Sequence, residues 1–172
     1  RGLGDVYKRQ ALAVATSMIK VIKLPMGGSV TLFSMLFIVL IGYWYGIKTG
    51  LTAAIAYGVL QLLLDPYILN IPQVLLDYIL GFGALGLSGI FSKSKHGLVK
   101  GYIIGVIGRF ICSFLSGWIF FAVYTPDFFN SAILYSVVYN GSYIGLEAVV
   151  TLVVISLPPV NKALAYVKNN LV

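Results

Sequence analysis

The segment "PQVLLDYILGFGALGLSGIF" (residues 72–91) decides the fold class, because it is apolar over a length that suits a membrane helix. A helix needs about 20 consecutive apolar residues to cross a bilayer. Its only charged group is the carboxylate of Asp77, and an unpaired charge near a helix centre costs on the order of 3 kcal/mol in a membrane. The segment therefore predicts a transmembrane helix and raises the question of what balances its acid. Its glycines predict close packing of this helix on a neighbour.

The composition of the whole chain indicates the same class. Of the 172 residues, 59% are hydrophobic and only 10% are charged, whereas soluble domains carry about 25% charged residues. We therefore expect a lipid bilayer around most of the chain. The net charge of +7 indicates basic cytoplasmic flanks and no nucleic-acid partner, because no basic soluble face is present. The single cysteine, Cys112, excludes a disulfide framework.

Apolar stretches separated by short polar or Pro/Gly-rich breaks predict an all-α membrane protein, a bundle of six transmembrane helices. Their approximate bounds are 9–24, 29–47, 49–65, 72–91, 98–122 and 132–157. Lysines concentrate in the 92–100 loop, the second loop and the C-terminal segment, so the positive-inside rule predicts that both termini are cytoplasmic.

The first ten residues, "RGLGDVYKRQ", differ in composition from the rest of the chain. We interpret residues 1–10 as a non-native scar or disordered leader. This leaves residues 11–172 as a single domain that contains the six helices.

Two layers of polar residues lie within the predicted spans. The outer layer contains Asp77, Ser113 and Asn140, and the aromatic residues near it are Tyr67, Tyr78, Trp118, Phe121 and Tyr135. No lysine or arginine is predicted at this level, so a cationic ligand is one candidate to balance Asp77, since a carboxylate among aromatic faces suits an organic cation. The alternative is a ligand-free network in which Asp77 is protonated or capped by Asn140 and tyrosine hydroxyls.

The deeper layer contains Arg109 and Glu147. Charged groups inside a membrane usually pair with one another, so we expect a structural ion pair between the fifth and sixth helices. A proton or ion relay is the alternative.

The sequence lacks the residues that most enzyme classes require. It has no G-x-x-x-x-G-K-[ST] motif for nucleotide hydrolysis, and its single histidine, His96, provides neither a histidine metal site nor a catalytic triad. We therefore predict a protein that is not an enzyme and that has no cofactor or metal. An intramembrane enzyme would have to use Ser113 or Cys112 near Arg109, which makes it the weaker hypothesis.

Five stretches in this order resemble a known family: "GGSVTL" (27–32), "YGVLQLLLDPYI" (57–68), "PQVLLDYILGFGALGLSG" (72–89), "SFLSGWIFFAVYTP" (113–126) and "LYSVVYNGSY" (134–143). The family is the thiamine-specific substrate-binding (S) subunit of energy-coupling factor transporters. The resemblance implies a bacterial plasma-membrane protein that binds thiamine near the outer face. It also implies two kinds of partner, a transmembrane scaffold subunit and two ATPase subunits. A gradient-driven carrier, or an S subunit for a thiamine precursor or another vitamin, is the alternative.

The resemblance assigns site residues position by position. It places Asp77 where the family has an acid that holds the aminopyrimidine, with Tyr78, Tyr67, Tyr135 and Asn140 as further pocket residues. Ser113 stands where the family often has a histidine, and Phe121 where some members have a pocket tryptophan. Trp118 is three residues earlier, on roughly the same face of a helix, and is a candidate to supply that ring.

Ala11 and Ala15 resemble an A-x-x-x-A pair by which the family's first helix docks on the scaffold. Ordinary packing between helices of this chain is the alternative interpretation of the pair.

Overall fold

The computed structural model describes residues 2–17, 20–23, 28–31 and 33–171, which form mainly helices, with one antiparallel pair of short strands and the loops between elements. In chain order the elements are α1 (Gly2–Ser17), β1 (Lys20–Lys23), β2 (Ser29–Thr31), α2 (Ser34–Tyr45), α3 (Ile47–Leu64), α4 (Ile71–Phe91), α5 (Gly97–Phe120), α6 (Ala132–Ser156) and α7 (Pro158–Leu171). A 3₁₀ turn, Ala122–Tyr124, follows α5.

Four of the described helices, α3 to α6, are long and apolar enough to cross a membrane, and α2 is a shorter apolar helix. The prediction of a helical membrane protein is confirmed at this level. The predicted spans 49–65, 98–122 and 132–157 agree closely with α3, α5 and α6. The apolar character of these helices was therefore sufficient to find them.

The prediction was wrong for the end of the first span and the start of the second. Residues 20–23 form β1, which pairs antiparallel with β2, so that Lys20 lies opposite Thr31 and Lys23 opposite Ser29. The segments "KVIK" and "SVT" are short and rich in β-branched residues, which favours strands over a helix. As a result α1 ends at Ser17 and α2 begins only at Ser34.

The expectation of a disordered leader over residues 1–10 also requires correction. Residues from Gly2 onwards belong to α1. Val6 is buried in the core, and the side-chain amide of Gln10 donates a hydrogen bond of 3.1 Å to the carbonyl oxygen of Ala53. The N-terminal half of α1 is therefore packed on the bundle.

Helix α4 packs closely against α2, α3 and α5, as its glycines predicted. A Cβ at Gly86 would lie 2.6 Å from the carbonyl oxygen of Gly50, and one at Gly89 would lie 2.4 Å from the Cα of Ile47. Because these neighbours are backbone atoms, no larger residue fits at either position without a shift of a helix. The close approach fixes α4, and with it Asp77, relative to α3.

The two terminal helices meet at one end of the bundle, around Trp44 of α2. The guanidinium carbon of Arg9 in α1 lies 4.3 Å from the Trp44 ring centroid. The indole N–H of Trp44 donates to the carbonyl oxygen of Leu164 in α7 at 3.2 Å. Lys168 lies 4.3 Å from the ring centroid of Tyr43. Helices α1 and α7 are therefore held at the same end of the molecule.

Candidate ligand-binding site

A large pocket lies at the opposite end of α2 from Trp44, between β2 and the helices α3, α4, α5 and α6. The empty space within its lining, together with the solvent at its open mouth, amounts to about 1020 Å³. Its lining is mainly aromatic and polar: Gly28, Ser29, Thr31, Ser34, Tyr57, Gln61, Asp65, Tyr67, Gln73, Asp77, Tyr78, Phe82, Arg109, Ser113, Ser116, Gly117, Phe121, Tyr135, Ser136, Tyr139, Asn140 and Tyr143. Of the eight residues predicted to bind a ligand, all except Trp118 are among them.

The part of α4 that faces the pocket is a π-helix, Leu75–Leu80, in which the N–H of Gly81 reaches back to the carbonyl oxygen of Leu76. On a regular α-helix, Gln73 and Phe82 would point about 180° apart. The wider π turn lets Gln73, Asp77, Tyr78 and Phe82 all line the pocket. Such turns are common at functional sites, and the hydrophobic pattern gave no sign of this one.

The Asp77 carboxylate is held through one of its two oxygens. Oδ2 accepts hydrogen bonds from the Gln73 side-chain amide at 2.6 Å and from the Ser116 hydroxyl at 2.8 Å. Oδ1 accepts none from the residues that the structure describes. The carboxylate is thus capped, as one of the two interpretations expected, but by Gln73 and Ser116 and not by Asn140. Sequence reasoning missed both partners, although Gln73 precedes Asp77 by one helical turn.

Gln73 also ties Asp77 to the loop between α3 and α4. Its buried amide donates to the carbonyl oxygen of Tyr67 at 3.1 Å and accepts from the N–H of Leu69 at 3.0 Å. The Tyr78 hydroxyl accepts from the N–H of Tyr67 at 2.8 Å and donates to the carbonyl oxygen of Asp65 at 3.0 Å. These bonds fix the Tyr67 ring at the rim of the pocket.

An aromatic wall of the pocket includes Phe121, whose ring centroid is 5.6 Å from that of Tyr67. The prediction that Trp118 supplies this wall is wrong: Trp118 stacks on Phe114, is 43% exposed and does not line the pocket. Positions 118 and 121 would share a face only on a helix that continued through both. Helix α5 ends at Phe120, so Phe121 has left the helix and turns into the pocket.

Helix α6 presents a broad polar face to the pocket. The Asn140 amide nitrogen donates to the carbonyl oxygens of Ser113 at 3.1 Å and Ser136 at 3.0 Å, while its oxygen accepts from the Tyr143 hydroxyl at 3.0 Å. Asn140 therefore joins α6 to α5. Tyr139, which sequence reasoning did not single out, accepts a hydrogen bond of 2.9 Å from the N–H of Gly28, so the chain leading into β2 is anchored to α6.

The expected ion pair between Arg109 and Glu147 is not formed. Glu147 is buried and accepts hydrogen bonds from the N–H and the hydroxyl of Thr31 and, at 3.4 Å, from the N–H of Met35. It binds there because α2 begins without a side-chain cap of its own: Phe33, the residue before the helix, is in the left-handed conformation. Glu147 thus caps α2 and holds Thr31 at the pocket.

Arg109 instead lines the pocket, where its guanidinium carbon lies 4.6 Å from the ring centroid of Phe82 and 6.0 Å from that of Tyr143. It is close enough to Asp77 to interact with it electrostatically. The expectation that no basic residue lies near Asp77 was therefore wrong. The error arose because Arg109 and Asp77 were assigned to different depths from sequence position alone.

Three comparisons relate this chain to known proteins. The profile of the family described as "Thiamine transporter protein (Thia_YuaJ)" matches residues 9–166. The chain is 32% identical over 150 residues to thiamine transporter ThiT of Bacillus subtilis (strain 168), a match that covers 79% of this chain and 77% of the relative. It is 29% identical over 127 residues to thiamine transporter ThiT of Lacticaseibacillus paracasei, a match that covers 64% of this chain and 63% of that relative. The solved structure of ThiT from Listeria monocytogenes superposes with a TM-score of 0.75 at 23% identity, covering 92% of this chain and 94% of that one, which shows a common fold.

The cap that Glu147 places on α2 can be tested by double-mutant cycles. We expect Glu147→Gln to lower the free energy of unfolding by about 1–3 kcal/mol, because an amide nitrogen replaces one of two acceptors for buried donors. Combined with Thr31→Val, it should show a coupling of about 1 kcal/mol or more, and combined with Arg109→Gln a coupling below about 0.5 kcal/mol. Denaturant unfolding in detergent micelles measures both cycles. A larger coupling energy of Glu147→Gln with Arg109→Gln than with Thr31→Val would indicate an ion pair between Arg109 and Glu147 and contradict the cap.

Proposed function

Because this chain belongs to the thiamine transporter protein family (Thia_YuaJ), with a profile match over residues 9–166, we propose that it is the thiamine-binding S subunit of an energy-coupling factor importer in a bacterial plasma membrane. Its matched relatives are named transporters and not enzymes, in keeping with a protein that captures the vitamin and carries out no chemistry on it. The observation that carries the proposed ligand is the arrangement of Asp77, held through one oxygen in an aromatic pocket.

The charge of the pocket favours a cation. Its charged lining residues within the described part of the chain are two acids, Asp65 and Asp77, and one base, Arg109. Thiamine carries one permanent positive charge on its thiazolium ring, which carboxylates of the lining would attract, and a buried charge is tolerated only where it is compensated.

The geometry at Asp77 suits the aminopyrimidine ring of thiamine. Gln73 and Ser116 both donate to Oδ2, so the carboxylate is oriented without the use of Oδ1. We propose that Oδ1 accepts a hydrogen bond from the exocyclic amine of the ligand. A hydrogen bond to a charged group contributes about 1.5–3 kcal/mol, and a pre-oriented carboxylate loses little entropy when the ligand binds.

The aromatic lining suits the thiazolium ring of thiamine. Tyr67 and Phe121 are in ring contact, and Tyr135 and Tyr139 of α6 also line the pocket, with ring centroids 5.8 Å apart. We propose that the thiazolium ring lies between these aromatic residues, where each face attracts a cation by about 0.5–2 kcal/mol. Ser113 and Asn140 lie below them and maintain the contact between α5 and α6.

For the intact transporter we propose that α1 to α6 cross the membrane, with both termini on the cytoplasmic side. The contacts of Arg9 and Leu164 with Trp44 support this, because they hold both terminal helices at one end of the bundle.

Ala11 and Ala15 are exposed on α1, and small exposed residues allow a partner helix to approach closely. We propose them as the docking site for the scaffold subunit, which in turn binds two ATPase subunits. Co-purification of these subunits with the tagged chain, and its loss in Ala11→Leu/Ala15→Leu, tests the assembly.

Substitution of Asp77 tests the proposed ligand. We expect Asp77→Asn to weaken thiamine binding by about ten- to a few hundredfold at neutral pH, because it removes the charge and one acceptor worth about 1.5–3 kcal/mol. Asp127→Asn is the matched control: this acid lies in the loop before α6 and does not line the pocket, so its affinity should equal that of the parent. Isothermal titration in detergent measures the thiamine affinity of the parent and of both variants. Equal affinities of Asp77→Asn and the parent would show that the ligand binds elsewhere.

A second prediction follows from the position of Phe121, which lines the pocket while Trp118 does not. Phe121→Ala should weaken thiamine binding by about five- to thirtyfold, since it removes a ring worth about 1–2 kcal/mol to a cation. Trp118→Ala removes a larger ring three residues earlier that lies outside the pocket, and its affinity should stay within about twofold of the parent. The opposite ranking, with Trp118→Ala the weaker binder, would mean that the end of α5 has been misassigned.

A further inference from the structure

The end of the bundle opposite the pocket, around Trp44, is strongly basic. The loop between α4 and α5 lies there, since the Ser92 hydroxyl donates to the carbonyl oxygen of Tyr43 at 2.8 Å, and α7 lies there through the bond between Leu164 and Trp44. The basic residues of α1, of the first turns of α3 and α5, of this loop and of α7 therefore share one end: Lys8, Arg9, Lys48, Lys93, Lys95, Lys100, Lys162 and Lys168.

The acids of the chain do not balance this charge. Of its five acids, those on the pocket side of the bundle are Asp65, Asp77, Asp127 and Glu147. The fifth, Asp5, is in the first turn of α1. The basic end thus has one acid of its own among the residues that the structure describes.

Two of the lysines are held close together at this end. Lys168, in the last turn of α7, is partly buried, and its Nζ lies 4.3 Å from the ring centroid of Tyr43. Burial and, after it, the charge of the exposed Lys93 lower the pKa of Lys168. The charged form of Lys168 is therefore less stable here than in water. An anion bound between the two ammonium groups would compensate for the lost hydration and for their mutual repulsion.

The position of this pair at a membrane surface indicates which anion it suits. A single residue, Leu157, separates the end of α6 from the start of α7, so α7 stays at the surface where α6 leaves the bilayer. Ile90, three residues before Lys93, is 55% exposed, so apolar surface for an acyl chain lies next to the charged pair. Basic pockets between the ends of membrane helices bind the head groups of anionic lipids.

We propose that Lys93 and Lys168, together with the ring of Tyr43, bind the phosphate group of one anionic phospholipid, whose acyl chains run along the exposed apolar side of α4. The lipid would join α7 to the loop after α4, and so add to the bond between Trp44 and Leu164 that already holds α7. The site is at the opposite end of the bundle from the pocket and does not depend on the ligand proposed there.

Native mass spectrometry of the delipidated protein in detergent tests the site. It compares dioleoylphosphatidylglycerol with dioleoylphosphatidylcholine, which has the same acyl chains and a neutral head group. The parent should bind the anionic lipid at least about fivefold more tightly. Lys168→Gln should weaken its binding by about three- to tenfold, as expected for one lysine near an anionic lipid, and Lys93→Gln/Lys168→Gln should weaken it further. Lys168→Arg, which keeps the charge, should bind like the parent.

Lys48→Gln is the matched control, because it removes one exposed lysine from the same end of the bundle. Its affinity for the anionic lipid should stay within about twofold of the parent. Equal losses in Lys48→Gln and Lys168→Gln would show diffuse attraction to the whole basic end and overturn the site.

Three other results would also overturn the proposal. Equal affinity of the parent for the two lipids would show that the head-group charge is not recognised. Displacement of the anionic lipid by an equal concentration of inorganic phosphate would assign the pair to a small anion. Loss of co-purifying transporter subunits in Lys93→Gln/Lys168→Gln, with lipid binding unchanged, would assign the surface to a protein partner.

Discussion

The hydrogen bonds that Gln73 and Ser116 donate to Oδ2 of Asp77 are the interactions on which the rest of the site depends. They link α4 to α5, and through Gln73 they reach the carbonyl oxygen of Tyr67 in the loop above. An acid inside a bundle of apolar helices is unfavourable unless it is compensated. Here two donors and the nearby Arg109 provide part of that compensation. In our proposal the bound cation provides the remainder.

A second acid, Glu147, contributes to the pocket from a different direction. By capping α2 and binding Thr31, it holds β2 against α6, and Tyr139 holds Gly28 a few residues earlier. Gly28 and Thr31 are thus both anchored to α6, and both line the pocket. In our proposal the two acids have distinct tasks: Asp77 binds the ligand, whereas both oxygens of Glu147 accept hydrogen bonds from the protein itself.

The sequence predicted the helices better than it predicted the contacts between them. Hydropathy located α3, α5 and α6 closely, because a membrane span has a minimum length and composition. It failed over residues 20–31, where segments of three or four residues are too short for hydropathy to separate strand from helix. It also failed to show the π turn at Asp77, which depends on how α4 packs against its neighbours.

Within the site, the charged residues could be predicted because charges are rare in membrane helices, and the aromatic residues because they lie near the predicted outer polar layer. Gln73, Ser116 and Tyr139 were missed because uncharged polar residues are common in helices that pack through small or polar side chains. Pairing Arg109 with Glu147 followed from opposite charge and similar depth. It was wrong because depth says nothing about direction around a helix, and Glu147 faces α2. Trp118 failed for a related reason, since the helix ends between it and Phe121.

The central claim is that Asp77 recognises the exocyclic amine of the vitamin. It is tested most directly by comparing thiamine with the analogue in which a keto oxygen replaces that amine, by isothermal titration against the unmodified protein. The account predicts that the analogue binds at least about a hundredfold more weakly, because an oxygen acceptor would face a carboxylate acceptor in a site built for a donor. Affinities for the two compounds that agree within about threefold would contradict the account.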